Sequence, residues 1–146
     1  MTQMRVIVAD DVAPMLSMVA DILRESFGIV ALVRDGRAAL DAVLELEPDL
    51  IVLDISMPGM TGIEVARQLH ERRHKTKIVF LTLHEDPEIL AACLAAGALG
   101  YVTKIVMHKD LIPAIHEALA GRVFVSSFSS QRGARPAHLS SMRSTI

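Results

Sequence analysis

Tryptophan is absent, tyrosine occurs once and phenylalanine four times, so aromatic residues make up 3% of the 146-residue chain. A core assembled around large rings is excluded. With 51% of the residues hydrophobic, packing must be aliphatic and rest on Val, Ile, Leu, Ala and Met. Cysteine also occurs once, which excludes an intramolecular disulfide and fits a reducing compartment. That residue, Cys93, lies in AACLAAGA and reads as a small buried hydrophobe. An excess of one charge sign is lacking too: a formal net charge of -2 gives no global attraction to nucleic acid or to an anionic membrane. Long apolar runs are missing, because windows such as 91–102 fall short of the roughly 18–20 residues needed to span a bilayer. The first apolar run ends at once in Asp10-Asp11, so no secretory signal is visible. These absences predict a cytoplasmic chain with one properly cored domain and room for a short appendage.

What is present is an alternation. RVIVA (5–9), Ile29 to Val33, LIVL (50–53), KIVFLT (77–82) and Leu99 to Thr103 are short apolar runs without polar interleaving, the pattern of strands buried on both faces. Between them, apolar residues recur at helical spacing, as in Met15, Met18, Val19, Ile22 and Leu23, or Ile63, Val65, Ala66 and Leu69. Helices are expected after Pro14, over 38–46, after the SMPGMTG loop, over 87–96 and over 108–120. Pro48 prevents the second from continuing, and Gly28 and Gly97 stop others. Five strand–helix repeats joined by short connections predict an α/β domain, a parallel sheet with helices on both faces. The run HERRHK (70–75) reads as a solvated helix end and loop. From Ser126 the chain becomes rich in Ser, Ala and Arg with no hydrophobic period, so 1–125 is predicted as the folded domain and 126–146 as a flexible tail or linker.

Right-handed crossovers place all strand carboxyl ends on one rim. Asp10, Asp11, Asp54, Thr82 and Lys104 each fall at such an end. Taken singly they have plain readings: Asp10-Asp11 as a helix-capping pair, Asp54 as the end of a strand. Taken together, three converging carboxylates repel one another, and a hard divalent cation such as Mg²⁺ resolves the repulsion. The hydroxyl of Thr82 and the ammonium of Lys104 complete an acceptor site for a tetrahedral anion, with a carboxylate placed as nucleophile.

The acidic pair after the first strand, LIVLDISMPGMTG, KIVFLT and GALGYVTK, in that order and spacing over residues 4–119, resemble the receiver domain of bacterial two-component response regulators. That resemblance implies a flavodoxin-like (βα)5 doubly wound sandwich, a five-stranded sheet in order 2-1-3-4-5. It implies phosphorylation of Asp54 by a sensor histidine kinase or phosphotransfer protein. Asp11 and Asp54 would hold Mg²⁺ directly, Asp10 through water and Ser56 through its backbone carbonyl. Thr82 would hydrogen-bond the phosphoryl group and Lys104 would pair with it. Tyr101 falls where the family carries a switch aromatic, and also suits a partly buried ring on the fourth helix. Ser56 and His84, two residues beyond Asp54 and Thr82, are placed to affect water access, though His84 also suits a solvated position.

FLTLHEDPEILAACLAAGALGYVTK and AGRVFVSS are most similar to receivers that precede a LuxR-type helix-turn-helix domain, yet nothing after Ser126 suits a four-helix DNA reader. The leading expectation is therefore a phosphoacceptor signalling domain, not an enzyme. It would bind no DNA itself, and any homodimer would use the fourth helix, fifth strand and last helix. The alternative is the receiver half of a LuxR-type transcription factor. A haloacid-dehalogenase-type phosphatase is a third reading, opposed by Ser56 where those enzymes carry a second acid.

Overall fold

The computed structural model describes residues 3–126 of the chain. The expected Ser/Arg-rich tail lies outside them except for Ser126. Strands β1 (Arg5–Ala9), β2 (Gly28–Val33), β3 (Leu50–Leu53), β4 (Lys77–Thr82) and β5 (Gly100–Thr103) alternate with helices α1 (Ala13–Leu23), α2 (Gly36–Leu46), α3 (Gly62–Glu71), α4 (Pro87–Ala95) and α5 (Met107–Leu119). A single 3-10 turn, Lys104–Val106, links β5 to α5. All strand pairs are parallel, in the order β2-β1-β3-β4-β5 predicted from the family resemblance.

The sheet then goes one strand further. Phe124–Val125 forms β6, parallel to β5 and on its outer side. Two residues are too few to show a hydrophobic period, so only the packing identifies this strand. It also covers the edge of β5, the middle element of the expected dimer face.

Side-chain alternation splits the core into two layers. Ile7, Ile51, Leu53, Ile78, Phe80 and Tyr101 face α2, α3 and α4, through residues such as Leu40, Leu69 and Cys93. Val6, Val8, Leu50, Val52, Leu81 and Val102 face α1 and α5, through Val19, Leu23, Leu111 and Ile115. Burial pushes the Cys93 thiol up to about 12, which keeps it protonated and inert, as its Ala-rich setting suggests. The 70–73 charge run is exposed at the end of α3 and in the turn beyond it.

Helix starts carry their own local logic. Asp35 and Thr61 cap α2 and α3 by accepting from the Ala38 and Glu64 amides, and Asp86 caps α4 through Glu88. Two of these starts are tight. A β-carbon at Gly36 would overlap the Met60 carbonyl, and one at Gly62 would overlap the carbonyl oxygen of Asp54. The Gly62 amide also donates to the Ile55 carbonyl at 2.8 Å. The first residue of α3 is thus pressed against the backbone of the strand end, and only glycine leaves room.

Gly62→Ala is expected to push the β3–α3 loop away and to destabilise the domain by about 1–3 kcal/mol, as overpacking does. Urea denaturation reads the loss. Unchanged stability would mean that the contact yields freely.

Candidate functional site at the sheet rim

The main-chain ladder runs past the strand ends and fixes the acids in place. The Asp10 amide donates to the Val33 carbonyl at 3.1 Å and the Asp54 amide to the Ala9 carbonyl at 3.0 Å. Because β1 and β3 are neighbours, Asp10 and Asp54 lie side by side, with Asp11 next to them. One carboxylate oxygen from each of the three falls within 4.8 Å of the others. Asp10 and Asp54 are buried, and Asp11 is half-buried.

The helix-capping reading of Asp10-Asp11 does not hold, and Asp54 does more than end β3. The N-cap of α1 is Val12, which makes no side-chain cap, while Asp10 Oδ1 accepts from the Val12 amide at 2.9 Å and braces the loop. Asp54 Oδ1 accepts from the Ile55 amide at 2.7 Å, and α3 is capped elsewhere.

Lys104 leaves the end of β5 and reaches across β4. Its Nζ lies 2.8 Å from Asp10 Oδ2 and 3.2 Å from Asp54 Oδ2. Burial disfavours the ammonium, but the hydrogen bond to Asp10 and the charge of Asp54 outweigh it and hold the Lys104 pKa above its ordinary value. For Asp54 the balance runs the other way. Burial raises its pKa, nearby Asp10 adds to the rise, and Lys104 offsets only part of it.

Thr82, at the end of β4 between these groups, is fully buried, and its hydroxyl accepts from the His84 amide at 3.2 Å. His84 is the junction of the rim. Its Nε2 lies 3.1 Å from Ser56 Oγ, and its carbonyl accepts from the Tyr101 hydroxyl at 2.7 Å. Tyr101 is wholly buried, packed in the layer that includes Cys93 of α4 and Ala96 at its end, and burial raises its phenol pKa. Its ring sits deeper than the partly buried packing expected, and its polar end is tied to the rim.

Asp54, Thr82 and Lys104 line a cavity of about 300 Å³, with Ser56 and His84 along one side and the apolar Val12 and Leu83 at its walls. Leu83 is 68% exposed, and Ile105, the residue after Lys104, is 69% exposed. Val12 and Ile105 escaped the sequence reading. Their signal was an apolar residue directly after a charged strand end, where a solvated loop would carry a polar one.

The donor set suits a hard divalent cation. Three carboxylates face one ammonium, so the ionised cluster carries excess negative charge in a half-enclosed place. Oxygen donors at this spacing match the chemistry of Mg²⁺, and there are no sulfur or imidazole donors in the acidic group to favour a softer ion.

Asp54→Asn removes the charge that burial and Asp10 disfavour. Without added metal at pH 7, the variant is expected to exceed the wild type in stability by about 0.5–2 kcal/mol, a common gain when a strained site is relieved. The sign follows from the raised pKa: ionised Asp54 opposes folding, so the wild type loses stability as pH rises through the folded-state value. The difference should shrink toward the ordinary carboxylate pKa of about 3.9, where the wild-type carboxyl protonates in both states. Urea midpoints measured from pH 4 to 7 check this, and a pH-independent gap would contradict it.

Comparison with known proteins agrees with this geometry. Residues 6–116 match the response regulator receiver domain family. The chain is 36% identical over 125 residues to the oxygen regulatory protein NreC of Staphylococcus epidermidis, covering 84% of this chain and 57% of that protein. It is 34% identical over 115 residues to the nitrate/nitrite response regulator NarL of Escherichia coli K12, covering 79% and 51%. Among solved structures, a signal receiver domain of NarL from Mycobacterium tuberculosis superimposes with a TM-score of 0.79 at 30% identity, over 84% of this chain and all of that one. The chain thus spans little more than half the length of these two curated relatives. Sheet order, rim and family match agree: the chain belongs to the response regulator receiver domain family and is related to the NarL and NreC regulators of the LuxR type.

Proposed function

We propose that this receiver is phosphorylated on Asp54 and signals by changing which protein surfaces it presents. The observation that carries the reading is the Lys104 ammonium between Asp10 and Asp54, with Asp11 and Thr82 beside them. That arrangement supports a nucleophilic role for Asp54, with an ammonium beside it to neutralise charge.

Asp10, Asp11 and Asp54, with the backbone carbonyl of Ser56, would hold Mg²⁺. When bound, the ion supplies positive charge opposite the phosphoryl oxygens. The donor is the phosphohistidine of a sensor kinase or phosphotransfer protein. The Asp54 carboxylate attacks phosphorus in line, the acyl–phosphate bond forms, the P–N bond breaks, and the imidazole nitrogen keeps the electron pair. Lys104 shifts from the carboxylate to the phosphoryl oxygens, and Thr82 turns its hydroxyl from the His84 amide to the same group. The protein contributes position and charge more than covalent chemistry. It turns over no separate substrate and acts in the cytoplasm.

The response is a population shift. Thr82 and Tyr101 both bond to the backbone of His84, so a change at Thr82 reaches the ring and α4. The face of α4, β5 and α5 is where a partner or second copy would sense it. Helix length adds a boundary condition: among the described residues no helix is long and apolar enough to cross a membrane.

Coverage of the relatives favours a second reading beside this one. NreC and NarL are each nearly twice as long as the matched region, so the chain can equally be the receiver half of a LuxR-type DNA-binding regulator. A helix-turn-helix coding region in frame downstream of Ile146 would select that reading, and its absence would select the stand-alone one.

Tyr101 offers a direct test, since it is the only tyrosine and no tryptophan competes with its emission. Beryllofluoride with Mg²⁺, a phosphoryl mimic, is expected to change Tyr101 emission in the wild type and leave Asp54→Asn unchanged. Light scattering on the same samples reads any self-association. No change in wild-type emission, or an equal change in Asp54→Asn, would contradict the proposal.

A further inference from the structure

The pairing of β6 joins the segment after α5 to the strand that carries Tyr101 and leads directly into Lys104. After α5 the chain turns at Gly121, whose φ is 82°, and runs back along β5. The Phe124 amide donates to the Leu99 carbonyl at 2.8 Å, and the Ser126 amide donates to the Tyr101 carbonyl at 2.9 Å. The third bond comes from a side chain: the Thr103 amide donates to Ser126 Oγ at 3.0 Å. Thr103 and Ser126 are each 1% exposed, so these polar groups depend on one another and not on water.

The three bonds fall on alternate residues along one edge of β5. One ends on Tyr101 itself. Another ends on Thr103, one peptide bond before Lys104. Ser126 makes two of the three, clasping β5 with its amide and its hydroxyl. Past the last paired residue of β6, Val125, Ser126 continues the ladder with its amide and adds a rung through its hydroxyl. A hydroxyl rotor is the most easily released member of such a set.

We propose that Phe124–Ser126 is a strap whose docking on β5 is set by the state of the Asp54 site, and that phosphorylation loosens it. This rests on the phosphoacceptor reading above. In the structure, Lys104 is drawn toward Asp10 and Asp54 together. A phosphoryl group on Asp54 moves negative charge outward from the carboxylate, and the ammonium follows it. The Thr103–Lys104 peptide then shifts against Ser126, while any turn of Tyr101 acts on the other clasp. A receiver whose exit segment is bonded to its own switch strand needs no separate relay between the site and whatever follows. Linkage makes the coupling reciprocal: weakening the strap must favour the occupied site.

Residue-resolved amide exchange on the full chain tests this, with and without Mg²⁺–beryllofluoride. The Thr103 and Ser126 amides are expected to exchange at least about fivefold faster with the mimic, the lower end of typical allosteric coupling. Asp54→Asn should abolish the effect. Ser126→Ala should speed both exchanges without the mimic and tighten beryllofluoride binding, followed by Tyr101 emission, while Ser126→Thr, which keeps the hydroxyl, should behave as wild type. If the Thr82 and His84 amides respond but Thr103 and Ser126 do not, the strap is only structural and the phosphoswitch stands. Slower exchange at the strap contradicts loosening. No response at any of these amides overturns the strap and the phosphoswitch together.

Discussion

The Lys104 ammonium, held between the carboxylates of Asp10 and Asp54, is the contact on which the rim depends. It joins β5 to β1 and β3 across β4, so three separate strand ends share one charge centre. Its two partners do not profit equally. Lys104 is held charged, whereas Asp54 is kept at a raised pKa by burial and by Asp10. Burial and like charge thus leave the three acids short of positive charge, an imbalance that a hard divalent cation would relieve. The ladder bonds at Asp10 and Asp54 fix the backbone of both acids at the strand ends.

Around this centre the fold adds a second set of connections, made by backbone groups. His84 accepts from Tyr101, donates to Thr82 and reaches Ser56 with its ring. Its ring is half-buried and lies within hydrogen-bond reach of Ser56, so His84 is not simply solvated. One residue on the β4–α4 loop touches the Thr82 hydroxyl, the buried Tyr101 and the β3–α3 loop. A small rearrangement at Thr82 has a short physical route to α4 and β5, and the same β5 bonds β6 and Ser126.

Much of this was legible in the residues. Uninterrupted apolar strands such as LIVL and KIVFLT, separated by helical periods, left one fold class, and right-handed crossovers then forced Asp10, Asp54, Thr82 and Lys104 to one rim. What the pattern could not carry was anything set by close approach. The need for glycine at 62 appears only when α3 is seen against the Asp54 carbonyl. The inward seat of Tyr101 depends on where the His84 carbonyl points. β6 is two residues long, and although Phe and Val suit a strand, so short a pair gains its identity only by pairing with β5. Boundaries moved by a residue or two, as with α2 starting at Gly36 and not at Ala38, because caps and first turns are decided by the Asp35 side chain and not by the apolar stripe.

The central claim, that Asp54 is the phosphoacceptor, is tested most directly by phosphorylation itself. The protein would be incubated with Mg²⁺ and a small phosphoryl donor such as phosphoramidate, and its intact mass followed. The account predicts gain of one phosphoryl group, mapped to Asp54 after reductive trapping of the acyl phosphate, no gain in Asp54→Asn, and slower gain in Lys104→Ala. A phosphoryl group on another residue, or none on a folded wild type that binds Mg²⁺, would contradict it.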